Sequence, residues 1–440
     1  MENNLLAQFR IAVYQTIQQR ADGLVDLVDA ISSTERVSSP VALSEVKPAF
    51  RRKFSTVYDV LRHAYFDEGA LRQVLQAHLP CDCQQVAGHE VYVVDATFLE
   101  RGEAKTLVDR RCLRRGNDAA VEYGHKYSWL VRMVESGTSW VAPMDIERIS
   151  SQQTDIQVGV MQVQRLPGQT QKVIVADGSY GNGKFLGPLV GQAGISALVR
   201  LRHNRNLFEL PPMEMKKRRG RLRKHGAAFK LNQPPRLPDR QAEQVLADGR
   251  TLRIQAWQGL HLKDLAEQNG MVLRLELFRP DGSPCYKRPT FVFWTGDPTL
   301  DLLAIAGMYL WRFGIEHAFR FLKQQMGLNR CRSTHLPSLK RWMWCCLLAY
   351  WQLLLLRHSL NLLRPAWYPQ RHSSTPLVTT PRLVQRNAGW IFSQLGTPAC
   401  SPKRSGKGTG RPKGYHPKPR ERFKSVLTRR QLAALAAKPA

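Results

Sequence analysis

Two short apolar runs, each stopping at an aspartate, constrain this chain more than any other feature of it. In HEVYVVDATFLE, residues 89–100, the β-branched run Val91 to Val94 ends at Asp95; in QKVIVADGSYGNGKFL, residues 171–186, the run Val173 to Ala176 ends at Asp177. Runs this short, apolar and β-branched read as strands buried on both faces. A carboxylate at the mouth of such a strand is costly unless it leaves the core or meets a cation. Gly178, Gly181 and Gly183 follow the second aspartate and let the backbone turn at once into a helix. Asp177 can also be read as the cap of that helix. No phosphate-binding loop fits, because neither G-x-x-x-x-G-K-[ST] nor G-x-G-x-x-G can be laid over the segment. If the two strands are neighbours, Asp95 and Asp177 share one metal-sized space.

A third carboxylate stands on a predicted amphipathic helix, YLWRFGIEHAFRFLK, from Tyr309 to Lys323. At about 100° per residue, Tyr309, Arg312, Glu316, Arg320 and Lys323 fall within roughly a quarter of its circumference. Simple surface ion pairing of Glu316 with Arg312 and Arg320, four residues away on either side, is the plain alternative. The spacing Y-x2-R-x3-E-x6-K, however, resembles the signature around the last acidic residue of a large group of bacterial insertion-sequence transposases of the DDE type. YGHKYSWLVRMVE and SWVAPMDIERI read as two further strands, Thr154 to Leu166 as a connecting helix, and Ile195 to Phe208 as a fifth strand. That order, three strands, a helix and another strand, is how a ribonuclease H-like α/β fold begins, with a mixed sheet flanked by helices.

From Asp177 to Glu316 is 139 positions, so an insertion must lie between the fifth strand and the last carboxylate. Residues 207–296 read as β-rich, with TLRIQAWQGL alternating and a hairpin around Pro280-Asp281-Gly282. The related transposases commonly carry a β-rich insertion here. Inside it, Lys216, Lys217, Arg218, Arg219, Arg221, Arg223 and Lys224 form a basic run without helical periodicity, read as an exposed loop on phosphates. Trp257 and Trp294 are candidates to stack on an unpaired or flipped base, although tryptophans in β-rich segments usually belong to the core. Arg202, at the end of the fifth strand, and Arg320 join the residues expected to face nucleic acid.

The net charge of +30 requires a polyanionic partner, and it is unevenly placed. Residues 1–88, which read as a small helical domain, carry nine Lys/Arg against ten Asp/Glu, so the excess lies entirely downstream. In related transposases such a domain binds DNA ends or dimerises; a helical cap on the catalytic core is the alternative. Residues 363–440 read as a basic, largely disordered tail in which Gly410-Arg411-Pro412 resembles a minor-groove hook or serves as an electrostatic anchor. The N-terminus MENNLLAQFR lacks the pattern of a signal peptide, and the apolar stretch Trp342 to Leu356 is short for a membrane span. Eight cysteines without paired spacing suit a reducing, cytoplasmic setting. His78, Cys81, Cys83 and His89 form a weak alternative zinc set, since C-x-C is unusual for structural zinc.

The resemblance implies a catalytic core of residues 89–206 and 297–362 acting on DNA. Asp95, Asp177 and Glu316 would ligate two Mg²⁺ or Mn²⁺ ions, hard cations suited to carboxylate oxygens. Arg312 and Lys323 would hold phosphates beside the cut, and Tyr309 would pack against the DNA backbone. The expected activity is cleavage at terminal inverted repeats and transfer of the 3′ ends to target DNA, by a homodimer holding two ends. A metal-dependent nuclease that cuts without joining, and a DNA-binding regulator without catalysis, are the two rivals.

Overall fold

The computed structural model describes residues 2–113, 120–168, 170–211, 223–358, 379–403, 410, 412–416 and 418–427. Four helices open the chain: α1 (Glu2–Thr16), α2 (Ala21–Ser32), α3 (Phe54–His63) and α4 (Glu68–Ala77). The sheet follows with β1 (His89–Glu100), β2 (Glu122–Met133) and β3 (Val141–Ile149), then α5 (Asp155–Gln164), β4 (Lys172–Ala176), the short α6 (Gly183–Leu186) and β5 (Ile195–Leu201). In space these five strands run in the order β3-β2-β1-β4-β5. β1 pairs antiparallel with β2 and parallel with β4, and β4 pairs parallel with β5. That is a ribonuclease H-like arrangement, a mixed sheet flanked by helices. All five residues of β4 are buried, as a strand flanked by parallel neighbours demands.

The predicted fifth strand stops at Leu201 and, after a turn, its continuation enters a second set of strands. These are β6 (Asn206–Glu209), β7 (Ala228–Lys230), β8 (Arg240–Val245), β9 (Thr251–Leu262), β10 (Leu265–Phe278) and β11 (Thr290–Trp294). β11 pairs antiparallel with both β10 and β5, so the inserted strands continue the core sheet edge to edge. Gly282, at φ 80°, turns the expected hairpin between β10 and β11.

The helices that close the chain are α7 (Leu302–Trp311), α8 (Phe313–Gln324), α9 (Leu336–Leu356) and α10 (Pro381–Leu395). Here the structure differs from the single helix expected over Tyr309 to Lys323, because the run is broken at Arg312. There the amide of Arg312 donates to Tyr309 O and the amide of Ile315 to Arg312 O, tightening one turn to three-residue spacing. The stripe is thereby split: Tyr309 and Arg312 are buried, whereas Glu316 and Arg320 are exposed. α9 contains no β-branched residue, starts with Pro337 in its first turn, and buries 17 of its 21 residues between the N-terminal helices and β3. Each fully buried leucine there contributes about 2 kcal/mol. Its buried Trp351 donates Nε1–H to Pro143 O at 2.6 Å, where β3 shifts register against β2. No helix among the described residues is long and apolar enough to cross a membrane.

Candidate active site

Strand register fixes the site. Val94 lies opposite Ala176 on β4, and Ala176 opposite Val199 on β5, so the next residues, Asp95, Asp177 and Arg200, form one row at the C-terminal ends of β4 and β5 and midway along β1, which runs on past Asp95 to Glu100. On the other side Asp95 faces Trp129 of β2, whose indole meets Phe319 of α8 edge to face, with ring centroids 5.8 Å apart. The face of the sheet bearing this row is therefore the one that α8 covers, and α8 carries Glu316 in its first turn.

Arg312 joins the pieces. Its Nη1 lies 3.5 Å from Asp95 Oδ2 and its Nη2 donates to Glu316 Oε1 at 3.1 Å. The guanidinium is 6% exposed, stands over the rings of Phe313 and Tyr309, and leaves its Nε without a hydrogen-bond partner. Burial works against its charge, but Tyr309, Asp95 and Glu316 together raise its pKa above the ordinary value. Asp95 responds to the same surroundings in the opposite sense. Burial first, then the charge of Asp177 and of Glu316, push its pKa up to about 6 against the pull of the Ala96 amide and Arg312.

Asp177 is fixed by its own turn, its Oδ1 accepting from Ser179 N at 2.8 Å and Ser179 Oγ at 2.6 Å. The predicted helix-cap role belongs instead to Asn182, whose side chain accepts from Lys184 N and Phe185 N. The turn presses on β5: a Cβ on Gly181 would lie 2.3 Å from Arg200 O, and Arg205 donates to Gly181 O at 2.8 Å.

The donor chemistry fits a hard divalent cation. Asp95 and Glu316 share one guanidinium and Asp177 stands beside Asp95 in the row; burial first, then the charge of Asp177 and Glu316, raise the pKa of Asp95, and a cation would offset all three. As the side chains stand, no group of three His, Cys, Asp or Glu among the described residues is gathered closely enough to clasp an ion; Arg312 lies between Asp95 and Glu316. His78 and His89 direct their Nδ1 atoms to Val74 O and Ala87 O.

The other expected contact residues fall into three groups. Lys323 reaches Phe98 O with its Nζ at 3.2 Å, on the strand that carries Asp95, while Arg202, Arg223, Lys224 and Arg320 are exposed. Lys216, Lys217, Arg218, Arg219, Arg221 and Arg411 lie outside the described residues. Trp294 requires correction: it is fully buried, with Nε1–H donated to Asp297 O at 2.9 Å, because its position on β11 points into the core. Trp257 is likewise buried, against Phe229, so neither indole is available to stack on a base. Tyr309, 2% exposed, lies beneath Arg312 and not on a surface where DNA would lie. Sequence reasoning passed over Arg200, one of three arginines in a strand end, since only pairing register shows that it shares the row with both aspartates.

A family model described as DDE superfamily endonuclease matches residues 12–263, more than half of the chain and both aspartates of the row, ending before Glu316. No curated protein matches the chain.

Proposed function

The chain belongs to the DDE superfamily of endonucleases, and from that premise we propose that it is a cut-and-paste DNA transposase of the insertion-sequence type. The observation that carries the reading is the in-register row of Asp95 and Asp177 on adjacent parallel strands, joined to Glu316 through Arg312. The spacing Tyr309, Arg312, Glu316, Lys323 supports the transposase group, and the charge of +30 supports a DNA substrate.

Asp95, Asp177 and Glu316 would hold Mg²⁺ or Mn²⁺, which when bound supplies activation of a water or 3′-hydroxyl and stabilisation of the leaving oxygen. Glu316, half-exposed at the start of α8, is free to turn from Arg312 toward the row. Arg312, released from Glu316, and Arg200, at the row's end, are placed to hold the non-bridging oxygens of a phosphate, as guanidinium groups do. Lys323 ties α8 to the strand of Asp95 and so keeps the third carboxylate aimed at the first. Asp95 must be ionised to act as a ligand, so activity should rise with pH through about 6. Two copies, each holding one end, would complete the reaction.

The test is incubation of purified protein with Mg²⁺ and a labelled duplex carrying the terminal repeat of its own element, beside Glu316→Gln. Nicked and joined products that disappear in the variant are expected. Cutting without joining would leave a nuclease; binding without cleavage in either protein would leave a DNA-binding regulator.

A further inference from the structure

The N-terminal helices have a net charge near zero, yet they do not present a neutral surface. Seven of the ten acids among residues 1–88 are in ion pairs: Asp22, Asp26, Asp29, Glu35, Asp59, Glu68 and Asp82. Their partners include Arg10, Arg20, Arg51, Arg52 and Arg72 from the same segment, and Arg357 and Arg386 from beyond it. Arg62, in the last turn of α3, is left with no carboxylate partner among the described residues.

Arg62 stands on one wall of a cavity of about 840 Å³ between α3 and the segment that follows α8. The opposite wall carries Arg330, Arg332 and His335, and Arg420 of the C-terminal segment closes one side by reaching Thr334 Oγ1 at 3.4 Å. No Asp or Glu among the described residues lines the space. Burial first, then the charges of Arg62, Arg341 and His63, lower the pKa of His335. The aromatic component is on α3, where Phe54, Tyr58 and Arg62 succeed one another at four-residue intervals and Phe54 and Tyr58 are 62% and 59% exposed. Tyr58 lines the cavity itself.

Both walls are tied to neighbouring elements by arginine hydrogen bonds. Arg341 of α9 donates to Leu61 O at 3.0 Å and Arg62 O at 3.1 Å, holding the end of α3. Arg101 donates to Cys331 O at 2.7 Å and Ser333 O at 3.0 Å, holding the facing segment from the end of β1. This wall of the groove starts at Arg330, six residues past the end of α8, while Glu316 lies in the first turn of that helix, about 12 Å of helix before its end.

An arginine-lined groove with no acid among its described residues, edged with exposed tyrosine, has the chemistry of a polyanion backbone site. We propose that this groove is a second DNA-binding surface, gripping the phosphate backbone of duplex that extends beyond the carboxylate row. The inference rests on the proposed function only in taking DNA as the substrate.

Binding of a labelled duplex, followed by fluorescence anisotropy between about 50 and 300 mM NaCl, tests it in the full chain. The double variant Arg62→Ala/Arg332→Ala should bind about 10- to 100-fold more weakly and lose roughly 2 from the log–log salt slope, about 0.9 per phosphate contact. Arg62→Lys/Arg332→Lys should retain the slope. Arg250→Ala/Arg253→Ala removes the same charge from the insertion, where both arginines pair with acids, and should change little. Equal losses in the two alanine doubles, or no loss in the first, would overturn the proposal, as would an unfolded first double with a lysine double whose slope falls. A cleavage assay of the wild type on the same duplex separates the two readings: duplex binding that needs the groove, without cleavage, removes the transposase and leaves the groove.

Discussion

Replacing Asp95 by asparagine should stabilise the metal-free protein at neutral pH while abolishing its chemistry. Asp95 has its pKa raised from 3.8 to about 6, so the folded state holds its proton more tightly than the unfolded chain does. Between those values the folded protein binds more protons, and stability therefore falls as pH rises from about 4 to 6. At about 1.4 kcal/mol per pKa unit the penalty above pH 6 is about 3 kcal/mol. Asparagine keeps an oxygen for the Ala96 amide, which Asp95 accepts at 2.7 Å, but gives up the attraction of Arg312 at 3.5 Å. Allowing for that loss, we expect a gain of about 2 kcal/mol at pH 7.5 and none at pH 4. Urea denaturation of both proteins across this pH range, with EDTA present, measures the gain directly. Destabilisation by the same amount at both ends of the range would refute the electrostatic account and make Asp95 a packing residue. Because the charge of Asp177 is the second cause of the rise at Asp95, Asp177→Asn should lower the pKa of Asp95.

The remaining predictions concern the surroundings of the row. Trp294→Ala should cost about 3–5 kcal/mol in unfolding free energy by opening a cavity in the sheet core, whereas a base-stacking residue would lose DNA affinity with stability intact. Gly183→Ala should lower the cleavage rate and cost about 1–3 kcal/mol, because the new Cβ would lie 2.6 Å from Asp264 O and would push the insertion off the Asp177 turn; unchanged nicking and melting would show that the contact yields freely. Arg200→Ala, at an exposed position, should leave the melting temperature unchanged and reduce cleavage about 10- to 100-fold, measured as single-turnover nicking.

Much of this architecture was legible because buried parallel strands leave a simple trace, a β-branched run ended by a polar residue. Asp177 does stand where β4 stops, whereas β1 runs on past Asp95 to Glu100, so the apolar run marked one buried stretch of that strand and not its end; the predicted hairpin at Asp281-Gly282 followed from turn chemistry. What the sequence concealed is what depends on pairing between distant segments. Arg200 gains its meaning from register with Asp177, and Trp294 loses its imagined role because β11 is sandwiched between β5 and β10. Net charge misled in the same way: the near-neutral sum over residues 1–88 averages buried pairs such as Arg10–Asp29 with an exposed Arg62. A sum over a segment is not the charge of a surface, since ion pairing removes both signs from view.

The helical spacing of Tyr309, Arg312, Glu316 and Lys323 is better understood from the break in the helix than from a single stripe. A continuous helix would set Arg312 and Glu316 side by side on one exposed face, as an ordinary pair worth about 0.5 kcal/mol. Tightening the turn at Arg312 instead sends its guanidinium inward to Asp95 while Glu316 stays at the surface, still within 3.1 Å. The protein thereby keeps a permanent cation beside a carboxylate whose neighbours would otherwise repel it, and does so with a side chain that cannot be deprotonated. Asp95 sits within β1 and Asp177 is held by its own turn, whereas the side chain of Glu316 is half-exposed. Were Glu316 to turn toward a divalent ion held with Asp95 and Asp177, it would give up Arg312 and leave that guanidinium for a phosphate. Arg312→Met should accordingly destabilise the metal-free protein by about 3 kcal/mol, and Mn²⁺ should restore a large part of that loss, because the ion supplies the charge the arginine gave. A destabilisation of the same size with and without Mn²⁺, read from urea midpoints, would mean that Arg312 serves packing and not charge.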